Sequence, residues 1–387
     1  MTLDLGTLSK AVYLTFSRRR VTIQRTLFVT VALGAYALLW IATRLGFALD
    51  DLFYRSYRAQ IVRAPVYIIA PPRSGTTFLH RLMCLDERQF TYFRMYQTLL
   101  PAVSLYRLIA FLRSLDRRLS GRLSRAIRRL DQRAFSVWRD IHPTGLNQAE
   151  EDEGLFLYSL HTPGFYLLFP FVDEFRSMQF TDSLPFEKRQ QLMGHYARCI
   201  QSHLYAVGGD RTLLIKNVHS LGRIASILET FPDARFVFVI RSPDRAIPSL
   251  INLFYAVWQI HSPDIARDST ETRALAQMGL DYYRYLAEMC ERLPAKQFIC
   301  IAFTDLVQDP THTVARIYRH LGLEMSDTFH ARLQEATRES RPCQSHHRYL
   351  LQAYGLAPSV ANPELETALL RWCRRPSMLE RKPVAAE

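Results

Sequence analysis

A short polar loop between a predicted strand and a predicted helix carries the residue types of an anion-binding site. Residues 71–77 read PPRSGTT and follow the apolar run VYIIA, and the next residues, FLHRLM, have helical periodicity. A loop in this position directs backbone N–H groups and the helix dipole at one point. Gly75 lets a ligand approach the backbone closely, Arg73 adds a forked cation, and two threonines add hydroxyl groups. The pattern predicts a phosphate site.

A second cation stands where a ligand of an open α/β sheet would bind. Residues 236–240 (FVFVI) form an unbroken apolar run that predicts a buried strand, and Arg241 follows its carboxyl end. The sequence Ser-Pro-Asp then marks a helix start, which places Ser249 in the second helical turn. Two interpretations remain for Arg241: it belongs to the anion site, or it makes a surface salt bridge.

One of the chain's five lysines ends a third predicted strand. Residues 211–223 read RTLLIKNVHSLGR, so Lys216 follows an apolar run and His219 comes three residues later. Lys216 could donate to the bridging oxygen of a leaving group, and His219 could orient a substrate or carry a proton. The alternative for His219 is a cap on the following helix.

The phosphate loop lacks two residues of the loop in ATP- and GTP-hydrolysing proteins. In the pattern GxxxxGK[ST], Ala70 takes the first glycine position and Thr76 takes the lysine position. The lysine clamp on the β- and γ-phosphates is therefore missing, which disfavours NTP hydrolysis. A strand-to-helix turn without a ligand remains an alternative.

The loop closely resembles that of a known family. Residues 70–86, APPRSGTTFLHRLMCLD, resemble the 5′-phosphosulfate-binding loop of sulfotransferases, whose pattern is P-[KR]-[ST]-G-T-[ST]. These enzymes use 3′-phosphoadenosine 5′-phosphosulfate (PAPS) as co-substrate. The resemblance implies an α/β, P-loop-like three-layer fold with a central parallel sheet flanked by helices. It also implies transfer of a sulfuryl group to a hydroxyl acceptor without a metal ion.

The resemblance also implies roles for individual residues. Arg73 would stabilise the sulfuryl group in transfer, and Arg241 and Ser249 match the pair that contacts the 3′-phosphate. Lys216 and His219 resemble a K-x-P-x-H segment, from which Asn217-Val218 departs at the proline position. The residues expected to bind the 5′ end of PAPS are Pro72, Arg73, Ser74, Gly75, Thr76 and Thr77.

Arg348 lies in a stretch whose RY…GL portion resembles a segment of family members. Its guanidinium could reach the nucleotide, or it could lie in solvent.

Transfer to a hydroxyl group needs a base near the acceptor oxygen, in line with the sulfur. Many family members have a glutamate in a W-E segment after the first helix, but this chain has Gln97 there, and an amide cannot act as a base. The next acidic candidates are residues 150–153 (EEDE), which follow His142 and resemble a segment of bacterial relatives. Glu151 and His142 are therefore the candidates, although four carboxylates at a helix start would also suit the helix dipole.

An apolar segment near the amino terminus predicts contact with a membrane. Residues 26–43 are 18 residues without a charge, roughly 27 Å as a helix, against the ~30 Å of a bilayer core. A spanning helix, an anchor lying in the interface and a helix packed on the domain all remain open. Arginines before the segment favour a cytoplasmic amino terminus. The short distance to the first strand favours a domain held against the membrane face.

The distribution of charge also indicates contact with a membrane. Lysine and arginine number 49 against 36 acidic residues, a net charge of +13, which argues for anionic partners. Residues 113–133 hold eight arginines and two aspartates around an apolar stripe, which predicts one basic amphipathic helix. This helix either lies on anionic lipid or packs its apolar stripe on the domain. No nucleic-acid-binding signature accompanies the charge, so nucleic acid is not an expected partner.

The six cysteines form no CxxC pattern, so a zinc or haem framework is not supported. Free thiols in a reducing compartment are expected. A full span with a cytoplasmic amino terminus would place the domain outside, but a domain held against the membrane face, together with free thiols, predicts a membrane-associated protein whose catalytic domain lies in the cytoplasm.

The expected organisation has three parts. Residues 1–60 form a membrane-associating segment, residues 61–356 a sulfotransferase domain in which 100–210 cover the acceptor side, and residues 357–387 a helix and tail. The expected function is sulfuryl transfer from PAPS to a lipid or carbohydrate hydroxyl group. A non-catalytic membrane-associated nucleotide-binding protein and a P-loop kinase are the alternatives.

Overall fold

Five short strands form one parallel sheet in the computed structural model, which describes residues 4–17, 21–134, 145–340, 351–357 and 363–374. The strand order is β2-β3-β1-β4-β5, and each adjacent pair is parallel. The carboxyl ends of β1, β3 and β4 therefore meet at one edge of the sheet. The predicted central parallel sheet is confirmed. The strands are β1 Val66–Ile69, β2 Phe90–Thr91, β3 Thr212–Lys216, β4 Arg235–Ile240 and β5 Phe298–Ala302.

The α-helices of the described residues surround this sheet. They are α1 Leu5–Ser17, α2 Ile23–Phe53, α3 Thr76–Met83, α4 Met95–Leu99, α5 Val103–Arg118, α6 Arg122–Ala134, α7 Phe186–Val207, α8 Ile224–Thr230, α9 Pro243–His261, α10 Thr270–Arg292, α11 Phe303–Gln308, α12 Pro310–Leu321, α13 Asp327–Ser340 and α14 Pro363–Cys373. A series of short 3₁₀ turns lies within residues 152–183.

Both faces of the sheet are covered by helices. Tyr67 and Ile69 pack into one core with α7, α8, α9, α10 and α14. Val66 and Ile68 pack into a second core with α3, α11, α12 and α13. All four side chains are fully buried, which explains why the strands read as unbroken apolar runs rather than alternating ones.

The basic segment 113–133 is not one helix, as its periodicity predicted, but two. Ser120 and Gly121 have φ values of 64° and 67°, which end α5 in a left-handed turn. The Asp116 carboxylate then accepts hydrogen bonds from the backbone N–H groups of Leu123 and Ser124 at the start of α6. The apolar stripe of α6 is exposed rather than packed on the domain.

The amino-terminal apolar segment lies in α2, which is long and apolar enough to cross a membrane by length and composition. Near its start, the Arg25 guanidinium donates to Ser262 Oγ at 2.7 Å and to Asp264 Oδ1 at 2.5 Å. Near its end, the Asp50 carboxylate accepts from two backbone N–H groups at the start of α5, both at 2.7 Å. The helix is therefore attached to the rest of the protein at both ends.

Asp50 caps α5 from a distant part of the chain, and its removal should destabilise the fold. We predict that Asp50→Ala lowers the free energy of unfolding by about 1–2 kcal/mol, because two buried N–H groups lose their acceptor. Asp50→Asn keeps one of the two acceptor oxygens and should cost less than Asp50→Ala. Urea unfolding followed by circular dichroism measures both, and equal losses in the two variants would argue against capping.

Candidate active site

The phosphate loop joins β1 to α3 through a sharp turn at Gly75. Gly75 has a φ of 83°, in the left-handed region, and directly precedes α3. A Cβ atom added there would lie 2.9 Å from the Phe303 ring, so the position suits glycine alone. The first turn of α3 follows. Its backbone N–H groups come before that of Leu79, which donates to the Gly75 carbonyl oxygen. Such N–H groups are the usual anion ligands of a helix start.

The two arginine motifs meet at this loop. Arg73 has a left-handed φ of 70°, and its Nε donates to Ser249 Oγ at 3.1 Å. Arg241 Nη1 donates to the carbonyl oxygen of Arg73 at 2.5 Å, and its guanidinium lies 4.6 Å from the centre of the Phe303 ring. The Tyr283 hydroxyl donates in turn to the Arg241 carbonyl oxygen. The loop, the end of β4 and α9 thus form one cationic corner.

The electrostatics of this corner favour an anion. Burial lowers the pKa of Arg241, and the nearby charge of Arg73 lowers it further. Two cations in partly dehydrated surroundings repel each other, and a negative group between them relieves that repulsion. The corner can therefore hold a phosphate or sulfate group.

Lys216 connects the phosphate loop to the acidic segment. Its side chain is fully buried at the end of β3, and its Nζ donates to Thr77 Oγ1 at 3.1 Å. The same ammonium lies 2.9 Å from Glu151 Oε1 and 3.5 Å from Glu150 Oε1. A buried ammonium needs such partners, since an unpaired one would cost several kcal/mol. Two predicted groups, Lys216 and Glu151, are therefore in direct contact.

The other two carboxylates of the acidic segment are bound by neighbouring side chains. Asn217 Nδ2 donates to Asp152 Oδ1 and to Glu153 Oε2, both at 2.7 Å. Arg223 Nη1 donates to the same Glu153 oxygen at 2.9 Å, and its guanidinium stacks 3.7 Å from the centre of the Phe156 ring. Burial opposes ionisation of Glu153, but the charges of Arg223 and His219 and the hydrogen bonds from Arg223 and Asn217 together outweigh it and lower the pKa of Glu153. These bonds fix the segment beside β3.

His219 lies beside this network and is not a helix cap. The side chain of Asn217 caps the following 3₁₀ turn instead, since its Oδ1 accepts from His219 N at 2.9 Å. The imidazole is buried, and its Nδ1 has no hydrogen-bond partner among the residues that the structure describes. Burial lowers the pKa of His219, while the charges of Glu153 and Glu151 act in the opposite direction. Most buried polar atoms have a partner, so this ring nitrogen is available to a polar group that enters beside it.

Gln97, which stands where relatives often have glutamate, has a local structural role. Its Oε1 accepts from the backbone N–H of Arg94 at 2.8 Å, which completes the cap of α4. The Gln97 side chain is buried in this arrangement.

The comparisons with known proteins agree with this geometry. The model of the sulfotransferase family matches residues 65–327, more than half of the chain. The chain belongs to the sulfotransferase family. It is 27% identical over 284 residues to the omega-hydroxy-beta-dihydromenaquinone-9 sulfotransferases Stf3 of Mycobacterium bovis and Mycobacterium tuberculosis. The match covers 71% of this chain and 67% of each relative.

Two solved structures share the fold of this sulfotransferase. Sulfotransferase STF9 from Mycobacterium avium superposes with a TM-score of 0.67 at 17% identity, covering 86% of this chain and 82% of its own. Sulfotransferase STF1 from M. tuberculosis H37Rv superposes with a TM-score of 0.65 at 21% identity, covering 94% and 90%. At these identities the likeness concerns the fold.

The predicted site residues of this sulfotransferase divide into two groups. Most surround the corner and Lys216, namely Pro72, Arg73, Ser74, Gly75, Thr76, Thr77, Glu151, Lys216, His219, Arg241 and Ser249. His142 and Arg348 lie outside the described residues. Within the described ranges, no group of three or more His, Cys, Asp and Glu side chains is placed to hold a metal ion.

Some residues that shape the site were not expected from the sequence. Asn217-Val218 departs from the K-x-P-x-H segment of relatives at the proline position, and that departure was the one available signal for the role of Asn217. Arg223 and Phe303 carried no local signal, because their contacts with Glu153 and Gly75 form only in the folded chain.

The Asp152 carboxyl should make stability depend on pH. Burial raises the pKa of Asp152 to about 6, and it accepts a hydrogen bond from the Tyr196 hydroxyl. The unfolded carboxyl titrates near 3.9, so between about pH 4 and 6 the folded state binds more protons and stability falls as pH rises.

We predict that Asp152→Asn removes this contribution. The difference in free energy of unfolding between the variant and the unsubstituted protein should grow in the variant's favour by on the order of 2 kcal/mol as the pH rises from 4 to 6.5. Above that pH the difference should not grow further. Urea unfolding at several pH values measures the difference. A stability difference that does not change with pH would show that Asp152 ionises normally.

Proposed function

We propose that this sulfotransferase moves the sulfuryl group of PAPS to a hydroxyl acceptor beside Lys216. One observation carries the proposal: the Lys216 ammonium contacts Thr77 of the phosphate loop and Glu151 of the acidic segment, at 3.1 and 2.9 Å. The leaving oxygen and the base must lie on opposite sides of the reacting sulfur. A cation between a phosphate loop and a carboxylate occupies a suitable place for that reaction.

The donor side has the features that a sulfonucleotide requires. The glycine turn, the start of α3 and the guanidinium groups of Arg73 and Arg241 present N–H donors and positive charge at one corner. Residues 72–77 would hold the 5′ end of PAPS, and Arg241 and Ser249 would hold its 3′-phosphate. Arg348 is a further candidate for contact with the nucleotide. Bound PAPS supplies the sulfuryl group, whose charge in transfer these cations can balance without a metal ion.

On the acceptor side, Glu151 is the best placed base. Asp152 and Glu153 are held by Asn217 and Arg223, whereas Glu151 contacts the reacting region through Lys216. The Glu151 side chain is 20% exposed against 9% for Glu150, so an acceptor hydroxyl can reach it more easily. We infer that Glu151 takes the acceptor proton, Lys216 donates to the leaving oxygen, and His219 Nδ1 orients the acceptor.

His142 was predicted beside Glu151 as a catalytic candidate. It stays a proposal, and a histidine there could share the proton-accepting role.

The acceptor that fits best is a lipid or another apolar hydroxyl compound, with a carbohydrate as the alternative. The curated relatives are named for an omega-hydroxy menaquinone derivative. In this chain, Tyr158 lies five residues after Glu153 and contacts α2: Thr43 Oγ1 donates to its hydroxyl at 3.1 Å. The apolar helix therefore packs next to the segment that carries the proposed base.

We also propose that the protein associates with a membrane and that its catalytic domain lies in the cytoplasm. The described cysteines are buried and free, in keeping with a reducing compartment.

The donor assignment predicts specific nucleotide binding. Millimolar 3′-phosphoadenosine 5′-phosphate should raise the melting temperature by about 5 °C, the scale expected when a ligand is far above its Kd. Arg73→Ala or Arg241→Ala should abolish the shift. The control is Arg292→Ala, because Arg292 is exposed on α10 and pairs only with Glu288 among the ion pairs described, so this variant should leave the shift unchanged. An unshifted melt of the unsubstituted protein would overturn the proposal.

The base assignment predicts a catalytic defect without a binding defect. Glu151→Gln should lower kcat for transfer of ³⁵S from PAPS to a lipid extract by about 10²–10⁴-fold, because the amide cannot accept the proton. Glu288→Gln, an exposed carboxylate of α10, is the matched control.

Nucleotide binding separates this role from a structural one. Glu151→Gln should keep the full melting shift with 3′-phosphoadenosine 5′-phosphate. Full activity in Glu151→Gln would remove Glu151 as the base, and binding without label transfer in any fraction would favour a non-catalytic nucleotide-binding protein.

A further inference from the structure

The polar and apolar faces of α2 are arranged in the reverse of what a helix on a water-facing surface shows. The side chains turned toward the protein include Arg25, Thr43 and Asp50, and each makes hydrogen bonds there. A helix on the surface of a soluble domain normally turns such groups to water and buries its apolar face. Here the domain satisfies the polar groups and leaves the apolar face outside.

The outward face of α2 is almost wholly apolar. No charged residue occurs between Arg25 and Arg44. Seven large aliphatic side chains on this face are 47–71% exposed, which makes a continuous apolar surface of a kind that monomeric soluble proteins rarely present. They are Leu27, Val31, Leu38, Ile41, Leu45, Leu49 and Leu52.

The surface continues onto α5 and α6, where it acquires positive charge. Gly46 of α2 packs against Ala102 and Leu105 at the start of α5, so the helices are in contact. Leu108, Phe111 and further apolar side chains of α5 are exposed, as are Leu123, Ile127 and Leu130 of α6. Exposed arginines surround the stripe of α6, namely Arg122, Arg125, Arg128, Arg129 and Arg133.

We propose that α2, α5 and α6 form a docking face that lies in the plane of an anionic lipid leaflet, with α2 as an in-plane rather than a spanning helix. The apolar stripes enter the boundary between headgroups and acyl chains, and the arginines of α6 bind lipid phosphates. This deepens the membrane association proposed above, and it does not depend on the chemistry at Lys216.

Two observations select an in-plane helix. Arg25 and Asp50 bind the domain at the two ends of α2, roughly 37 Å apart at 1.5 Å per residue. A spanning helix would have to break one of these attachments and leave a buried polar group without its partner. Both attachments persist if the helix lies along the membrane with its apolar face downward.

The charge pattern selects lipid over a second copy of the chain. In a symmetric dimer the same patch packs on a copy of itself, so both copies bring the positive charge of α6 to one interface. An anionic leaflet offers instead the complementary charge together with an apolar interior.

Vesicle flotation of the full chain tests the partner. Binding should be strong to vesicles of phosphatidylcholine with 30% phosphatidylglycerol and weak to phosphatidylcholine alone. The triple variant Arg125→Gln, Arg128→Gln, Arg129→Gln should lose about a hundredfold in partitioning, at roughly fivefold per arginine. Leu38→Gln should lose about tenfold, and Val307→Gln, an exposed apolar side chain on α11 in the opposite layer, should lose nothing.

Depth measurement tests the orientation. Leu27, Leu38 or Leu49 is replaced by cysteine and labelled with a fluorophore, and the unsubstituted chain serves as background. A shallow spin-labelled lipid should quench the fluorophore equally at all three positions, because an in-plane helix keeps all three near the headgroups. Quenching at both ends with protection of Leu38 would indicate a spanning helix and overturn the proposal.

Failure to float on anionic vesicles, or a stable dimer without vesicles that covers this face, would also overturn it. Neither result would alter the melting shift with 3′-phosphoadenosine 5′-phosphate, so it would not be confused with failure of the nucleotide site.

Discussion

The buried ammonium of Lys216 is the constraint on which the arrangement of the site depends. A lone cation at the end of a central strand would be costly, and its contacts with Thr77, Glu150 and Glu151 offset that cost. Those contacts join segments that are far apart in the chain: the phosphate loop after β1 and the acidic segment before α7. Lysine suits this place because its compact ammonium offers three donors in different directions, whereas the guanidinium of arginine is a planar fork.

The acidic segment in turn is fixed from its other side. Asn217 orients Asp152 and Glu153 by hydrogen bonds, and Arg223 neutralises Glu153, so that the neighbouring Glu151 is presented to Lys216. The same segment continues to Tyr158, which α2 contacts. The outward apolar helix therefore contacts the chain segment that carries the proposed base. Such a layout suits the proposed reaction, in which the acceptor would arrive from a lipid phase and the donor from water.

Sequence reasoning located the cationic corner at the phosphate loop because local rules dictate it. Gly75 after a strand and Arg241 at the end of another must lie at the same edge of a parallel sheet, and the structure shows them both beside Phe303. The pairing of Lys216 with Glu151 was not predictable in the same way, since 65 residues separate them. Periodicity likewise missed the break at Gly121, because the leucine spacing continues across it.

Hydropathy identified α2 as apolar, but it could not tell which face turns inward. That depends on partners such as Ser262, which only the folded chain brings to Arg25.

A double-mutant cycle on Lys216 and Glu151 tests the central claim most directly. The single-turnover rate of ³⁵S transfer from PAPS is measured for Lys216→Met, Glu151→Gln and the double variant, with the melting shift in nucleotide confirming that each remains folded. If the two groups act as one unit, the double variant should be no more than about threefold slower than the slower single variant. Losses that multiply would show that the two groups act independently and would contradict this account.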